Sequence, residues 1–187
     1  MNKNTFQVNA VKKILFFTTC MVCFFGCSSQ KQPIVLSEGF ADFPLGELLE
    51  FTSSHSIWTS EDGNAEITEK KSKLTPNSLR ISGGENKSVT VEPQENIGSH
   101  EMMTFWAERW TRRDPFEFRV LGFENNEWSE IFNGDAVVET GNLPSFVEIF
   151  LNGANYSKYK FICSSPENTG MFIDDFKIFN DAPITLD

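Results

Sequence analysis

The chain is predicted to be all-β, a jelly-roll β-sandwich of about ten antiparallel strands. Turn signals recur about every eight to twelve residues, and no long stretch has helical periodicity. Nineteen phenylalanines among 187 residues point the same way, because aromatic side chains favour strands and fill sandwich cores.

The predicted strands run in order as EGFADF (38–43), AEITEK (65–70), SLRIS (78–82), SVTVEP (88–93), MMTFWAERW (102–110), FEFRVLGF (116–123), WSEIF (128–132), FVEIFLN (146–152), YKFICSS (159–165) and MFIDDFKIF (171–179). Between them stand EDGN, TPN, SGGEN, RRDP, ENNE, NGD, TGNLP, NGAN and SPENTG. These Gly, Pro, Asn and Asp clusters supply positive φ or preset turns.

The segment 101–120 is predicted to be a hairpin. Met103, Phe105 and Ala107 share one face, and Met102, Thr104, Trp106, Glu108 and Trp110 the other. After the turn, Phe116, Phe118 and Val120 face together while Glu117 and Arg119 point away. Pro115 lacks an N–H and suits the start of the second strand. The arginines adjoin acids, so this is no uncompensated basic patch.

The N-terminus is predicted to be a targeting segment. Lys3, Lys12 and Lys13 precede Ile14–Phe25, an uncharged and mostly apolar run of twelve residues. That is the length of a signal-peptide core and short of the roughly 20 residues of a membrane-spanning helix. Gly26-Cys27 then resembles a bacterial lipobox. The resemblance implies cleavage before Cys27, its diacylation, and a cell-envelope location; Ser28 after the Cys resembles an outer-membrane address. The expected organisation is a signal peptide over 1–26, a lipidated tether over 27–36, the sandwich over 37–180 and a tail over 181–187. Two or more acyl chains anchor stably where one is marginal.

Only Cys163 remains for the folded part, so no disulfide is expected within it; its strand context predicts a small buried hydrophobe. The formal charge is −10. The segment 1–26 holds three lysines and no acid, so the rest is more acidic still. This excludes nucleic acid as a partner, since its affinity rests on neutralising phosphates. It also leaves the lipid as the expected means of membrane attachment. There is no HExxH, no GxSxG and no phosphate loop, and no pair of acids stands out as catalytic.

FWAERWTRRDPFEFRV (105–120), followed by WSEIF (128–132), resembles the jelly-roll domain found ahead of the β-propeller in bacterial sialidase-like proteins. SEGFADFPLGEL (37–48), Trp58, NSLRISGG (77–84) and SSPENTGMFIDDFKIF (164–179) resemble the opening and closing strands of that module. The Ile-Asp-Asp signature also resembles those of laminin-G-like and galactose-binding-like sandwiches. The resemblance implies a non-catalytic accessory domain. The propeller's Arg-Ile-Pro motif and Asp-box repeats do not occur.

Two sets of residues are candidates for a site. Trp58, Trp106, Trp110 and Trp128 offer indole faces for a pyranose, with Trp106 and Trp110 roughly 13 Å apart along one strand. Arg109, Arg112 and Arg113 are placed to meet an anionic sugar through a bidentate fork. The plainer alternatives are core or sheet cover for the tryptophans and a solvated turn, linked to Glu108 and Asp114, for the arginines. Glu38, Asp42, Asp174 and Asp175 form a second set. First and last strands often adjoin in such sandwiches, where carboxylates can hold a structural calcium of six to eight oxygens. The functional expectation is a carbohydrate-binding or carbohydrate-associated module whose partner is a glycan. The alternatives are an envelope protein-interaction domain without sugar affinity, or the front domain of a truncated sialidase-like enzyme.

Overall fold

The computed structural model describes residues 34–180, apart from Asp62 and Thr75. The signal segment, Cys27 with most of the tether, and the tail lie outside the described residues. The strands are β1 (Ile34–Glu38), β2 (Gly46–Glu47), β3 (Glu50–Thr52), β4 (Ser56–Ser60), β5 (Ala65–Thr68), β6 (Ser78–Pro93), β7 (His100–Arg109), β8 (Glu117–Glu124), β9 (Glu127–Asn133), β10 (Ser145–Ala154) and β11 (Lys158–Asn180). Every pairing is antiparallel. The fold is all-β, and among the described residues no helix is long and apolar enough to cross a membrane.

Hydrogen bonds join all eleven strands into one continuous sheet, which folds over itself into two layers. The first layer runs β9–β8–β11–β6–β4–β3 through residues 158–164 of β11 and 87–93 of β6. The second runs β10–β7–β11–β6–β5–β2 through residues 170–179 of β11 and 78–82 of β6. β1 pairs with the end of β11, Ile34 opposite Phe179 and Glu38 opposite Phe176. Thus β6 and β11 belong to both layers and bend together between them.

Glycines make the bend. A Cβ on Gly83 would lie 2.2 Å from the Pro166 carbonyl oxygen. Gly170 has φ +120°, and a Cβ there would lie 2.1 Å from the Ile81 carbonyl oxygen. Only glycine lets two backbones approach this closely in that conformation.

The core fills the space between the layers. Phe161 on β11 meets Phe105 of β7 at 5.4 Å and Phe176 at 5.8 Å, both edge-to-face and both from the opposite layer. Trp58 stacks on Phe161 at 6.4 Å and meets Phe176 at 5.4 Å. Such aromatic pairs add about 1 kcal/mol each beyond the area they bury. The alternation within the two strands holds, since Met103, Phe105, Ala107, Phe118 and Val120 are all fully buried. But 101–120 is not the expected hairpin: β7 pairs with β10 and β11 in the second layer and β8 with β9 and β11 in the first, so the Pro115 turn carries the chain from one layer to the other. Cys163 is buried as expected, and burial pushes its thiol up to about 11.

Four boundaries differ from the sequence expectation. SGGEN and SPENTG do not end strands: 78–82 and 88–93 are one strand, as are 159–165 and 171–179. The two segments face each other, Ser165 opposite Gly84 and Gly170 opposite Ser82, so the ladder continues through bulges around the corner. EGFADF is a strand only at its first residue, because Phe40 takes φ +60° and turns the chain. Ile34–Leu36, expected in the tether, instead belong to β1 against Ile178 and Phe179. Finally, β2, β3 and β4 are additional strands in 46–60.

Candidate functional site

The two outer faces of the sandwich differ. Over the second layer, residues 69–74 and 139–144 lie across β7 and β11. Two buried carboxylates hold them. Glu108 accepts hydrogen bonds from Leu143 N at 2.7 Å and Gly141 N at 3.2 Å, and pairs with Lys71 at 2.9 Å. Asp174 accepts from Lys73 N at 2.6 Å, Leu74 N at 3.2 Å and Asp175 N at 2.7 Å. Burial pushes the Asp174 carboxyl above its usual range, against the pull of those three amides.

This arrangement occupies two of the candidate tryptophans. Lys73 Nζ lies 3.8 Å from the centre of the Trp106 ring, which also packs on Phe146 at 4.9 Å. The Arg80 guanidinium lies 4.0 Å from the Trp110 ring, with Lys70 at 5.7 Å and Phe172 at 5.3 Å. Trp110 stands just past the end of β7, its backbone N–H donating to the Gly170 carbonyl. Trp58 is fully buried, its Nε1 donating to Ser56 Oγ, so it is a core residue and no sugar platform.

The arginines do not form one fork. Arg109 donates to the carbonyls of Thr111 and Arg113, each at 2.8 Å, pairs with Asp114 at 3.2 Å and packs on Phe116. Arg112 donates to Thr140 Oγ1, and Arg113 is exposed. Arg109 and Arg112 line one cavity of about 380 Å³, but Asp135 and Glu139 share it. Glu108, expected beside the arginines, instead serves Lys71 and the loop amides.

The four carboxylates considered for calcium are also apart in their partners. β1 and β11 do pair, but Glu38 accepts hydrogen bonds from Ser53 and Ser56, and Asp174 serves the amides of Lys73 and Leu74. Asp175 pairs with Lys177 at 2.6 Å, and Asp42 is exposed. Among the described residues no three His, Cys, Asp or Glu side chains group to hold a metal.

Over the first layer the face is open. Alternation from the buried Trp58, Val91, Phe161 and Val120 turns their neighbours outward. One outward row crosses six strands: Glu130, Leu121, Lys160, Thr90, Thr59 and Glu50. At strand spacing it spans about 24 Å. Beside it Trp128, Phe123 and Lys158 form a second row, and Lys158 pairs with Glu92 at 2.8 Å. Trp128 is 36% exposed, packs on Phe123 at 5.0 Å, and has Lys160 Nζ at 4.5 Å from its ring. Of the tryptophans it is the exposed one. The polar row beside Trp128 is visible only once the strands are placed in register.

No protein-family model matches the chain, and no curated protein does. Solved structures do. The chain is similar to the CBM22-1 xylan-binding domain of Paenibacillus barcinonensis Xyn10C, with TM-score 0.50 and 15% identity over 83% of this chain and 100% of that one. It is also similar to TmCBM61 in complex with β-1,4-galactotriose (TM-score 0.47, 14% identity, 68% of this chain and 90% of that one). A third is the mannan-recognising TmCBM27, with TM-score 0.47 and 11% identity over 82% of this chain and 100% of that one. These neighbours are carbohydrate-binding modules. The likeness to the xylan-binding domain supports the jelly-roll architecture.

Proposed function

We propose that the protein is a non-catalytic carbohydrate-binding module that takes an extended oligosaccharide along the open face of its first layer. The carrying observation is Trp128, an exposed indole beside a polar row of about 24 Å, room for about four or five pyranose units at strand spacing. An indole packs on the C–H face of a sugar, while Lys160, Thr90, Thr59 and Glu130 offer donors and acceptors to its hydroxyls. The xylan-binding domain that shares this architecture supports the ligand class. Each of the three outward tryptophans carries a cation near its ring, but Trp106 and Trp110 are half-buried and Trp128 is exposed, which favours Trp128 over them.

The reading extends to the N-terminus, where lipid on Cys27 holds the module at the outer membrane of a bacterial envelope. The resemblance of 105–120 to the domain ahead of sialidase-like propellers adds sialylated glycans to the ligands worth testing.

The test is a glycan array with the full chain over xylo-, manno-, galacto- and sialo-oligosaccharides. Trp128→Ala is expected to weaken the best ligand about tenfold, a loss of about 1.4 kcal/mol, within the range of an aromatic contact. Trp106→Ala is expected to leave it unchanged. Silence across the array, or equal binding by wild type and Trp128→Ala, overturns the proposal.

A further inference from the structure

A cavity of about 330 Å³ lies at one end of the sandwich, between the 94–99 connection and residues 155–157. Its lining includes Glu92, Glu95, Asn96, His100, Asn155 and Tyr156. It adjoins the open face, because Glu92 is ion-paired to Lys158 and Ser157 donates its N–H to the Phe123 carbonyl. Phe123 in turn packs on Trp128.

His100 sets this cavity apart. It is 1% exposed, its Nδ1 is hydrogen-bonded to the Tyr159 hydroxyl, and its Nε2 has no hydrogen-bond partner among the described residues. A buried polar atom left unpaired opposes folding, so such atoms in native proteins ordinarily meet a ligand or water. Burial also lowers the imidazole to about 4, so the ring is neutral near pH 7. Nε2 is then a donor or an acceptor according to which tautomer Tyr159 selects. A hydroxyl group satisfies either tautomer, whereas a carboxylate only accepts and an ammonium only donates.

The other lining groups narrow the class. Glu95 disfavours an anion. Glu92 is already neutralised by Lys158, and no group of three ligating side chains awaits a metal among the described residues. Asn96 Oδ1 is taken by Gly98 N, while Ile97 and the Tyr156 ring give apolar walls. A small uncharged ring rich in hydroxyls fits this mixture.

We propose that this end cavity is a second binding site, which takes the terminal pyranose of an oligosaccharide with one of its hydroxyls on His100 Nε2. The ligand class rests on the function proposed above; the site itself rests on His100 and the cavity. The chain running on from that terminal unit would cross Glu92 and Lys158 onto the Trp128 face.

The experiment is an NMR titration of the full chain, first with the methyl glycosides of xylose, galactose and mannose at about 10 mM, a concentration suited to single-sugar affinities. The corresponding oligosaccharides follow. The expected result is that at least one methyl glycoside shifts the His100 imidazole together with the amides of Asn96, Asn155 and Tyr156. His100→Phe, checked for folding by its Trp58 indole resonance, is expected to weaken that ligand about tenfold, the scale of one hydrogen bond in a buried site. If that variant does not fold, the wild-type shifts and an Asn155→Ala variant decide. Movement at the Trp128 indole with His100 unmoved overturns the second site and leaves the open face standing. Movement at His100 alone supports the cavity and removes the Trp128 face. If neither moves with any sugar, both proposals fall.

Discussion

Lys73 Nζ stands 3.8 Å from the centre of the Trp106 indole, and the backbone N–H of the same lysine is held by Asp174 at 2.6 Å. One residue therefore closes the ring face while an acid beneath it holds the chain in place. Glu108 does the same for 141–143 and for Lys71.

Glu108→Ala is expected to cost about 3 kcal/mol, measured by urea unfolding. Most of that comes from the buried Leu143 amide left without its charged acceptor, with a smaller part from the more exposed Gly141 amide. The Lys71 contribution is small, because that side chain is 40% exposed and water replaces its partner. Acrylamide quenching of tryptophan fluorescence should rise as 69–74 loosens over Trp106. An unchanged midpoint would show that the loops are held by something other than Glu108.

Gly170→Ala is expected to destabilise by about 3 kcal/mol or more, since it meets both an unfavourable φ and a carbonyl oxygen. Gly153→Ala is the control: its φ is +76°, but nothing lies within 4 Å of the added carbon. It should cost about 1 kcal/mol, the conformational part alone. Thermal melts of the two variants compare the clash with the strain; equal losses would mean that the bend relaxes freely.

Stability should fall on acidification through His100. Its folded pKa, lowered to about 4 by burial, lies below the ordinary 6.5, so the unfolded chain binds the extra proton between those values. Folding therefore loses up to about 3 kcal/mol as pH drops from 6.5 to 4. Asp174 works the other way: its raised carboxyl makes the folded state the tighter proton binder just above pH 3.8, so its contribution weakens as pH rises there. Tyr159 stays protonated throughout, because burial raises it far above this range. Glu92 and Glu95 line the same cavity, Glu92 in an ion pair with Lys158, and burial alone drives the His100 shift. Urea midpoints of wild type minus His100→Gln isolate the histidine; parallel pH curves would refute this assignment.

Cys27→Ser is expected to abolish incorporation of labelled palmitate and to release the chain from the membrane fraction. Equal labelling of wild type and variant would place any lipid elsewhere.

The layer architecture was legible because Phe, Val and Ile alternate with polar residues at period two, and burial then assigns each face. Met103, Phe105, Ala107, Phe118 and Val120 illustrate it. The continuity of β6 and β11 was not legible: SGGEN and SPENTG carry turn chemistry, and only their mutual pairing turns two turns into one bent ribbon. The site was partly legible. Trp128 could be singled out as an indole, but its row depends on registers among six strands distant in sequence. Trp106 and Trp110 looked equally available, since nothing local says that Lys73 and Arg80, some thirty residues earlier in the chain, would cover them.

The pairing of β1 with the end of β11 sets Ile34 opposite Phe179. A pulling force applied between these two points therefore loads one hydrogen-bonded pair at a time, like opening a zipper, and does not shear the whole ladder at once. Under tension between those two points the first structure to yield is the seam at Ile34, while the bent ribbon joining the layers stays intact.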